Sequence, residues 1–207
     1  MHLSLGVSAH GLVRLMQAAL VAILGSGAVL GNVSVIVNAT LSLAVTGFPA
    51  LLERDYDVVL DPVIVVWITA AAFLHSLGMV GVYERIWWWD HLTHAFSGTL
   101  VAAVGYAVTR TVDEHADGIY LPPAFLWAFV FLVTVAVGVS WETMEMICRA
   151  LAQAVGVEPI LVVYSVEDTM LDLVFDIVGA VIVASAAQIG AGRAVLDRLS
   201  GSFIRAS

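Results

Sequence analysis

The 207-residue chain is 61% hydrophobic and only 12% charged, with a formal net charge of −9. A soluble domain carries about 45–50% apolar and about 25% charged residues, so this chain lacks the polar groups to cover a water-facing globule. The acidic balance and the absence of basic patches argue against a nucleic-acid binder.

Six apolar segments follow one another, near residues 11–30, 33–51, 62–82, 91–109, 123–143 and 169–190. Each approaches the roughly 20 residues of a membrane crossing, and backbone in lipid has to be helical because the bilayer offers it no hydrogen bonds. Only Arg14 charges the N-terminal region, and the first apolar run is long for a signal peptide, so it reads as a retained helix. Gly31-Asn32 is the turn into the second helix. The sequons at Asn32 and Asn38 fall at or inside a helix and read as chance. The run Glu53–Asp57 reads as solvated acidic surface, as does the loop Arg110–Tyr120. Asp61-Pro62 and Pro122-Pro123 mark helix starts, with proline in the first turn. The run 156–166 is too short to span and reads as an interfacial or re-entrant piece over the bundle. Asp168 reads as the N-cap of the last helix.

The expected architecture is a single all-α integral membrane domain over residues 1–207, a six-transmembrane-helix bundle in the plasma membrane with lipids around it. The oligomeric state stays open. All eight basic residues are arginine, which points to a GC-rich, salt-adapted source. With the N-terminus inside, Arg14, Arg54, Arg110, Arg193, Arg198 and Arg205 face the cytoplasm and Arg85 and Arg149 face out. That distribution favours an N-in, C-in orientation. Trp87, Trp88, Trp89 and Trp141 then form an aromatic belt at the outer interface. The single Cys148 excludes an internal disulfide and a multi-cysteine metal site.

Ionisable residues inside crossings are costly and ask for a partner or a purpose. Three clusters meet that description. Asp90 and His94 lie i,i+4 at the start of the fourth segment. Glu142 and Glu145 lie i,i+3 at the end of the fifth. Asp168, Asp172 and Asp176 form an i,i+4,i+8 stripe descending about 12 Å into the sixth. Any alternating six-helix topology puts all three at one membrane face, together with the end of the third segment and His75. So many carboxylates cannot all be ionised without counter-charge. Either some hold protons or a divalent metal sits among them, with Zn, Mn, Fe or Mg the candidates.

The structural readings of the same residues are plainer. Asp90 and Asp168 are each candidate N-caps. His91 reads as an interfacial residue pointing away from the Asp90–His94 face, and His75 as a hydrogen-bonded core histidine or an additional ligand. Glu145 has Arg149 as its i+4 neighbour. His2, His10 and His115 read as solvent-facing, and Met144 and Met146 as packing. Ser97, Gly98, Gly105, Gly78, Gly81 and Gly179 read as sites of close helix approach. Asp172 and Asp176 resist such readings, because they lie one and two turns inside an apolar helix. The expected site is therefore Asp90, His94, Asp168, Asp172 and Asp176 as metal ligands, His75 as a possible addition, and Glu142 and Glu145 as catalytic carboxylates.

These residues resemble the YjdF-like membrane proteins of bacteria and archaea, and more loosely the VanZ-like proteins. The shared pattern is Asp90-x-x-x-His94-x-x-x-Gly98, then Glu142-x-x-Glu145, then Asp168-Thr169-x-x-Asp172 followed by Gly179. It spans residues 87–180 and leaves the first two helices unmatched. The lead into the last motif, Val163-Tyr164-Ser165-Val166-Glu167, lacks the Gly- and Gln-rich character common in that family. The resemblance implies a multi-helix membrane protein and supplies no substrate.

Three functions compete. The first is a metal-dependent hydrolase of lipid or lipid-linked groups, with Glu142 as a general base. The second is an accessory or structural membrane subunit. The third is a cation- or proton-coupled transporter using the aspartate stripe, against which stand the missing inverted repeat and the one-sided charge.

Overall fold

In a computed structural model of the chain, residues 2–116, 118–161 and 165–204 are described. They form α1 (His2–Leu30), α2 (Val33–Tyr56), α3 (Pro62–Arg85), α4 (Trp89–His115), α5 (Pro123–Val155), α6 (Val166–Ala186) and α7 (Gly190–Ile204). There is no strand among the described residues, and six helices, α1 to α6, are long and apolar enough to cross a membrane. Large apolar side chains such as Leu15, Leu132 and Leu151 lie on the exposed surface, the inverse of a soluble protein and suited to lipid.

The helix starts follow local chemistry. Asn32 accepts from the Val35 N–H at 3.1 Å, and Asp61 accepts from the Val63 N–H at 2.8 Å. Pro123 occupies the first turn of α5. Asp90 and Asp168, by contrast, are not the N-caps of their helices. α4 starts from Trp88 without a side-chain cap, and α6 is capped by Ser165, whose Oγ accepts from the Asp168 N–H at 3.1 Å. Both aspartates therefore sit inside the first helical turn, where a carboxylate also suits the positive end of the helix dipole.

The helices outrun the apolar segments that announce them, because polar residues continue a helix beyond the hydrocarbon. α5 has 33 residues, about 50 Å at 1.5 Å per residue, against a hydrocarbon core of about 30 Å. Glu142 and Glu145 thus lie within α5 and not at its end. The sixth apolar segment is not one helix to residue 190. It stops at Ala186, and α7 follows after a tight turn in which a Cβ at Gly192 would overlap the Ala186 carbonyl.

α1, α2 and α3 pack on one another; α4 packs on α5, α6 and α7, and α3 joins the two groups through α4. The α4–α6 contact is the closest-fitting. A Cβ at Gly179 would lie 2.6 Å from the Thr99 nitrogen, and one at Gly98 would lie 2.8 Å from the Asp176 carbonyl oxygen. Two backbones touch there because neither glycine carries a side chain. Below this crossing an apolar core of Ala102, Ala103, Tyr106, Val130, Ala180 and Val183 fills the bundle.

Three further expectations change. The Arg110–Tyr120 loop is not simply solvated: Arg110 pairs with Asp113 at 3.2 Å, with Glu114, and with Asp197 of α7 at 3.7 Å. Trp89 and Trp141 are not plain belt residues. Trp89 donates from Nε1 to the Leu74 carbonyl at 3.1 Å, and Trp141 packs edge-on to His75 at 5.6 Å. Trp87 and Trp88 remain exposed. In the 156–166 run, residues 162–164 lie outside the described residues. Its Ile160 carbonyl accepts from Ser34 Oγ at 2.7 Å and Asn38 Nδ2 at 2.8 Å, which ties this connection to α2. The side chains of His2, Arg198 and Arg205 lie outside the described residues.

Candidate metal centre

The centre is built where the first turns of α4 and α6 meet α5. Positions 91, 94 and 98 of α4 follow i, i+3, i+7 spacing and so share one face. Gly98 brings that face onto the backbone of Asp176, one turn from Gly179. α6 answers with its i,i+4,i+8 stripe of Asp168, Asp172 and Asp176. α5 closes the third side: Gly138 meets the Asp176 carboxylate so closely that a Cβ there would overlap it.

His94 lies among three carboxylates from three helices. Its Nδ1 is 3.4 Å from Asp176 Oδ1, and its Nε2 is 3.6 Å from Glu142 Oε1 and 3.8 Å from Asp90 Oδ1. His91 Nδ1 is 3.0 Å from Asp172 Oδ1, and its ring stacks on Phe175 at 4.8 Å. His91 therefore does not point away from the site. It is 8% exposed, and the reason is its spacing: it lies three residues before His94 on the face that α6 covers.

Asp172 is 3% exposed, Asp176 4% and Glu142 3%. Among the described residues, the ion-pair partners of Asp90, Glu142, Asp172 and Asp176 are all histidines. Glu142 Oε1 and Asp176 Oδ2 are buried without a hydrogen-bond partner, and leaving a buried acceptor unsatisfied is costly. Two sets of ligand atoms cluster within 4.8 Å of one another, Asp90–His94–Asp172 and His91–Asp168–Asp172. Each offers one imidazole and two carboxylates, a donor mixture suited to Zn, Mn or Fe. Asp176 touches the ring nitrogen of His94 opposite the one that faces Asp90 and Glu142. That is the geometry in which a carboxylate orients a metal-binding histidine. Glu145 is buried one turn beyond Glu142 and belongs to neither set.

His75 stands beside the centre and not in either set. The Asn38 amide donates to the Ser34 and Ile160 carbonyls, which leaves its Oδ1 as an acceptor for His75 Nε2 at 3.1 Å. The other ring nitrogen, Nδ1, then accepts from the Tyr83 hydroxyl at 3.0 Å. Both nitrogens are engaged, so His75 is a hydrogen-bonded core histidine. Tyr83 reaches it because α3 makes a π-helical turn over Gly78–Val82, where Gly81 takes φ +96° and Gly78 lies under the Tyr83 ring.

Residues 12–192 match a family described as "Predicted membrane protein (DUF2238)". The chain belongs to this DUF2238 family. It is also 29% identical over 114 residues to an uncharacterised protein of Thermotoga maritima, a match covering 54% of this chain and 55% of that protein. The chain thus spans about half the length of this curated relative. No solved structure matches. As a DUF2238 protein it is a predicted multi-pass membrane protein, in keeping with its six helices of crossing length.

Proposed function

We infer that this DUF2238 protein binds a divalent metal ion between α4, α5 and α6 and uses it to hydrolyse an ester bond of a lipid or lipid-linked group. The resemblance of residues 87–180 to the YjdF-like proteins lies on the same side chains. The observation that carries the reading is the environment of His94, which faces the buried carboxylates of Glu142 and Asp176 and the half-buried one of Asp90 within 3.8 Å. A cation relieves that crowding where histidines alone have to serve otherwise.

The position favours a substrate that arrives within the membrane plane. The cluster lies in the end turns of crossing helices, near the depth of a head group, and the Arg distribution favours this face as the outer one. A bound ion supplies an acidic water and stabilises charge on the substrate oxygens. Water adds across the ester bond, its hydroxyl going to the phosphoryl or acyl centre and its proton to the leaving oxygen. Glu142 is placed to take the proton from that water, because its Oε1 is unpartnered and faces His94. Glu145 supports the α5 wall behind it. A transport pathway is the weaker reading, because the ionisable groups of the cluster are gathered at one end of the bundle and an apolar core of Ala102, Ala103, Val130, Ala180 and Val183 lies below Gly98 and Gly179.

The test is the metal content of the detergent-purified protein by elemental mass spectrometry beside Asp172→Asn. Metal in the wild type, lost in the variant, is expected. Chelator should also abolish head-group release from mixed lipid vesicles. A folded, metal-free wild-type protein that resists reloading overturns the reading.

A further inference from the structure

The two ligand sets share one residue. Asp172 belongs to both, with Asp90 and His94 on one side of it and His91 and Asp168 on the other. The helices impose this arrangement. His91 and His94, three residues apart on α4, face the Asp168–Asp172–Asp176 stripe of α6: His91 meets Asp172 at 3.0 Å, His94 meets Asp176 at 3.4 Å, and Asp172 is common to both ligand sets. We propose that the centre is dinuclear, with Asp172 as the bridging carboxylate between one ion at Asp90–His94 and a second at His91–Asp168. This rests on the metal reading above and specifies it.

Charge supports two ions over one. Asp90, Glu142, Glu145, Asp168, Asp172 and Asp176 are six carboxylates. One divalent ion leaves four negative charges to be met by protons or histidines, whereas two ions leave two, matched in number by His91 and His94. The buried, unpartnered oxygens of Glu142 and Asp176 point to the same excess of acceptors. A single ion also leaves one histidine–aspartate pair without a purpose. His91 is otherwise a buried imidazole held against Asp172 by stacking on Phe175. Paired ions about 3.5–4 Å apart clamp the attacking and the leaving oxygen of one displacement. That makes a phosphate ester, with oxygens to share between two cations, the preferred substrate class over a carboxylic ester.

The experiment uses the full chain in detergent, stripped with chelator and reloaded with Mn2+. Bound metal is counted by elemental mass spectrometry, and the ions are examined by electron paramagnetic resonance. We expect two Mn2+ per chain with a spin-coupled spectrum. His91→Asn should keep one ion with the spectrum of isolated Mn2+, and Asp172→Asn should keep neither. One uncoupled Mn2+ in the wild type, unchanged in His91→Asn, overturns the dinuclear centre and leaves the single-ion reading standing. No Mn2+ on the folded wild-type chain overturns both. Should Asp172→Asn fail to fold, the wild-type and His91→Asn counts decide the matter.

Discussion

α4 carries charged groups toward both membrane faces, and the two ends differ in how those charges are met. At the far end, Arg110 of α4 is held by Asp113, Glu114 and Asp197, and the Tyr106 hydroxyl donates to Asp197 at 2.9 Å. Asp113 also accepts from the Leu121 N–H at 2.7 Å, which fastens the turn into α5. A cavity of about 150 Å³ opens beside this clamp, with Arg193 and Trp127 in its wall. There the chain supplies cation, anions and donors together. At the near end, Asp90, Glu142, Asp172 and Asp176 meet only histidines in their ion pairs, and two carboxylate oxygens have no donor. Arg110 Nε is itself buried without a hydrogen-bond partner, so the difference lies in charge: at the far end a cation of the chain stands among the carboxylates, and at the near end only histidines do.

The largest effect should come from the contact that both ends depend on. In Gly179→Ala the new Cβ meets the Thr99 nitrogen at 2.6 Å and the Gly98 carbonyl carbon at 2.7 Å, both backbone atoms that cannot swing aside. Overpacking of this kind costs about 3 kcal/mol at the upper end of its usual range. For a chain of this length that is roughly 6–12 °C in melting temperature. Metal retention should fall with it, because α4 and α6 supply the ligands jointly. A wild-type melting curve in detergent would show that the helices are not in backbone contact.

A smaller effect separates the ends. Asp176→Asn keeps the size of the side chain but removes the carboxylate from His94 Nδ1. Loss of a partner that orients a histidine ligand typically weakens metal binding by 10–100-fold. The melting temperature of the metal-free protein should stay near wild type or rise, since a buried, half-satisfied carboxylate has gone. Equal metal affinity in Asp176→Asn and wild type would mean that His94 is not a ligand through Nε2. Acidification should act in the same direction as the substitution, because protons compete with metal for imidazole and carboxylate alike.

Most of this was legible before any coordinates. Apolar segments of crossing length announce α1 to α6, and the stripe at Asp168, Asp172 and Asp176 announces a polar site, since burying aspartates in a crossing needs a reason. The topology alone brings Asp90, Glu142 and Asp176 to one face. What escaped depends on which helix covers which face. His91 reads as interfacial when the Asp90–His94 i,i+4 pair alone defines the face, whereas its i+3 relation to His94 and i+7 relation to Gly98 put it on the covered side. Asp90 and Asp168 looked like caps because caps are local, yet Ser165 stands three residues before Asp168 and does that work. α7 escaped because hydropathy does not see a turn made possible by Gly192 against Ala186. The engagement of His75 by Asn38 and Tyr83 needs a π-helical turn that no spacing rule foretells.

The smallest effect tests the other side of the comparison. Arg110→Gln removes the cation that Asp113, Glu114 and Asp197 share, from a side chain that is 25% exposed. In a dry interior such a loss costs several kcal/mol, but water at this depth screens the three carboxylates and lets them relax outward. The expected cost is therefore about 1 kcal/mol, or roughly 2–4 °C in melting temperature. Metal content should not change, because the apolar layer of Ala102, Ala103, Ala180 and Val183 separates the clamp from the end that carries His91 and His94. Adding Asp197→Asn to Arg110→Gln should restore part of the loss, since one unpartnered carboxylate goes with the charge that held it. A drop in metal content in Arg110→Gln, at temperatures where the protein is folded, would show the two ends to be coupled through α4. The division between a self-closed clamp and an open centre would then give way to a single network.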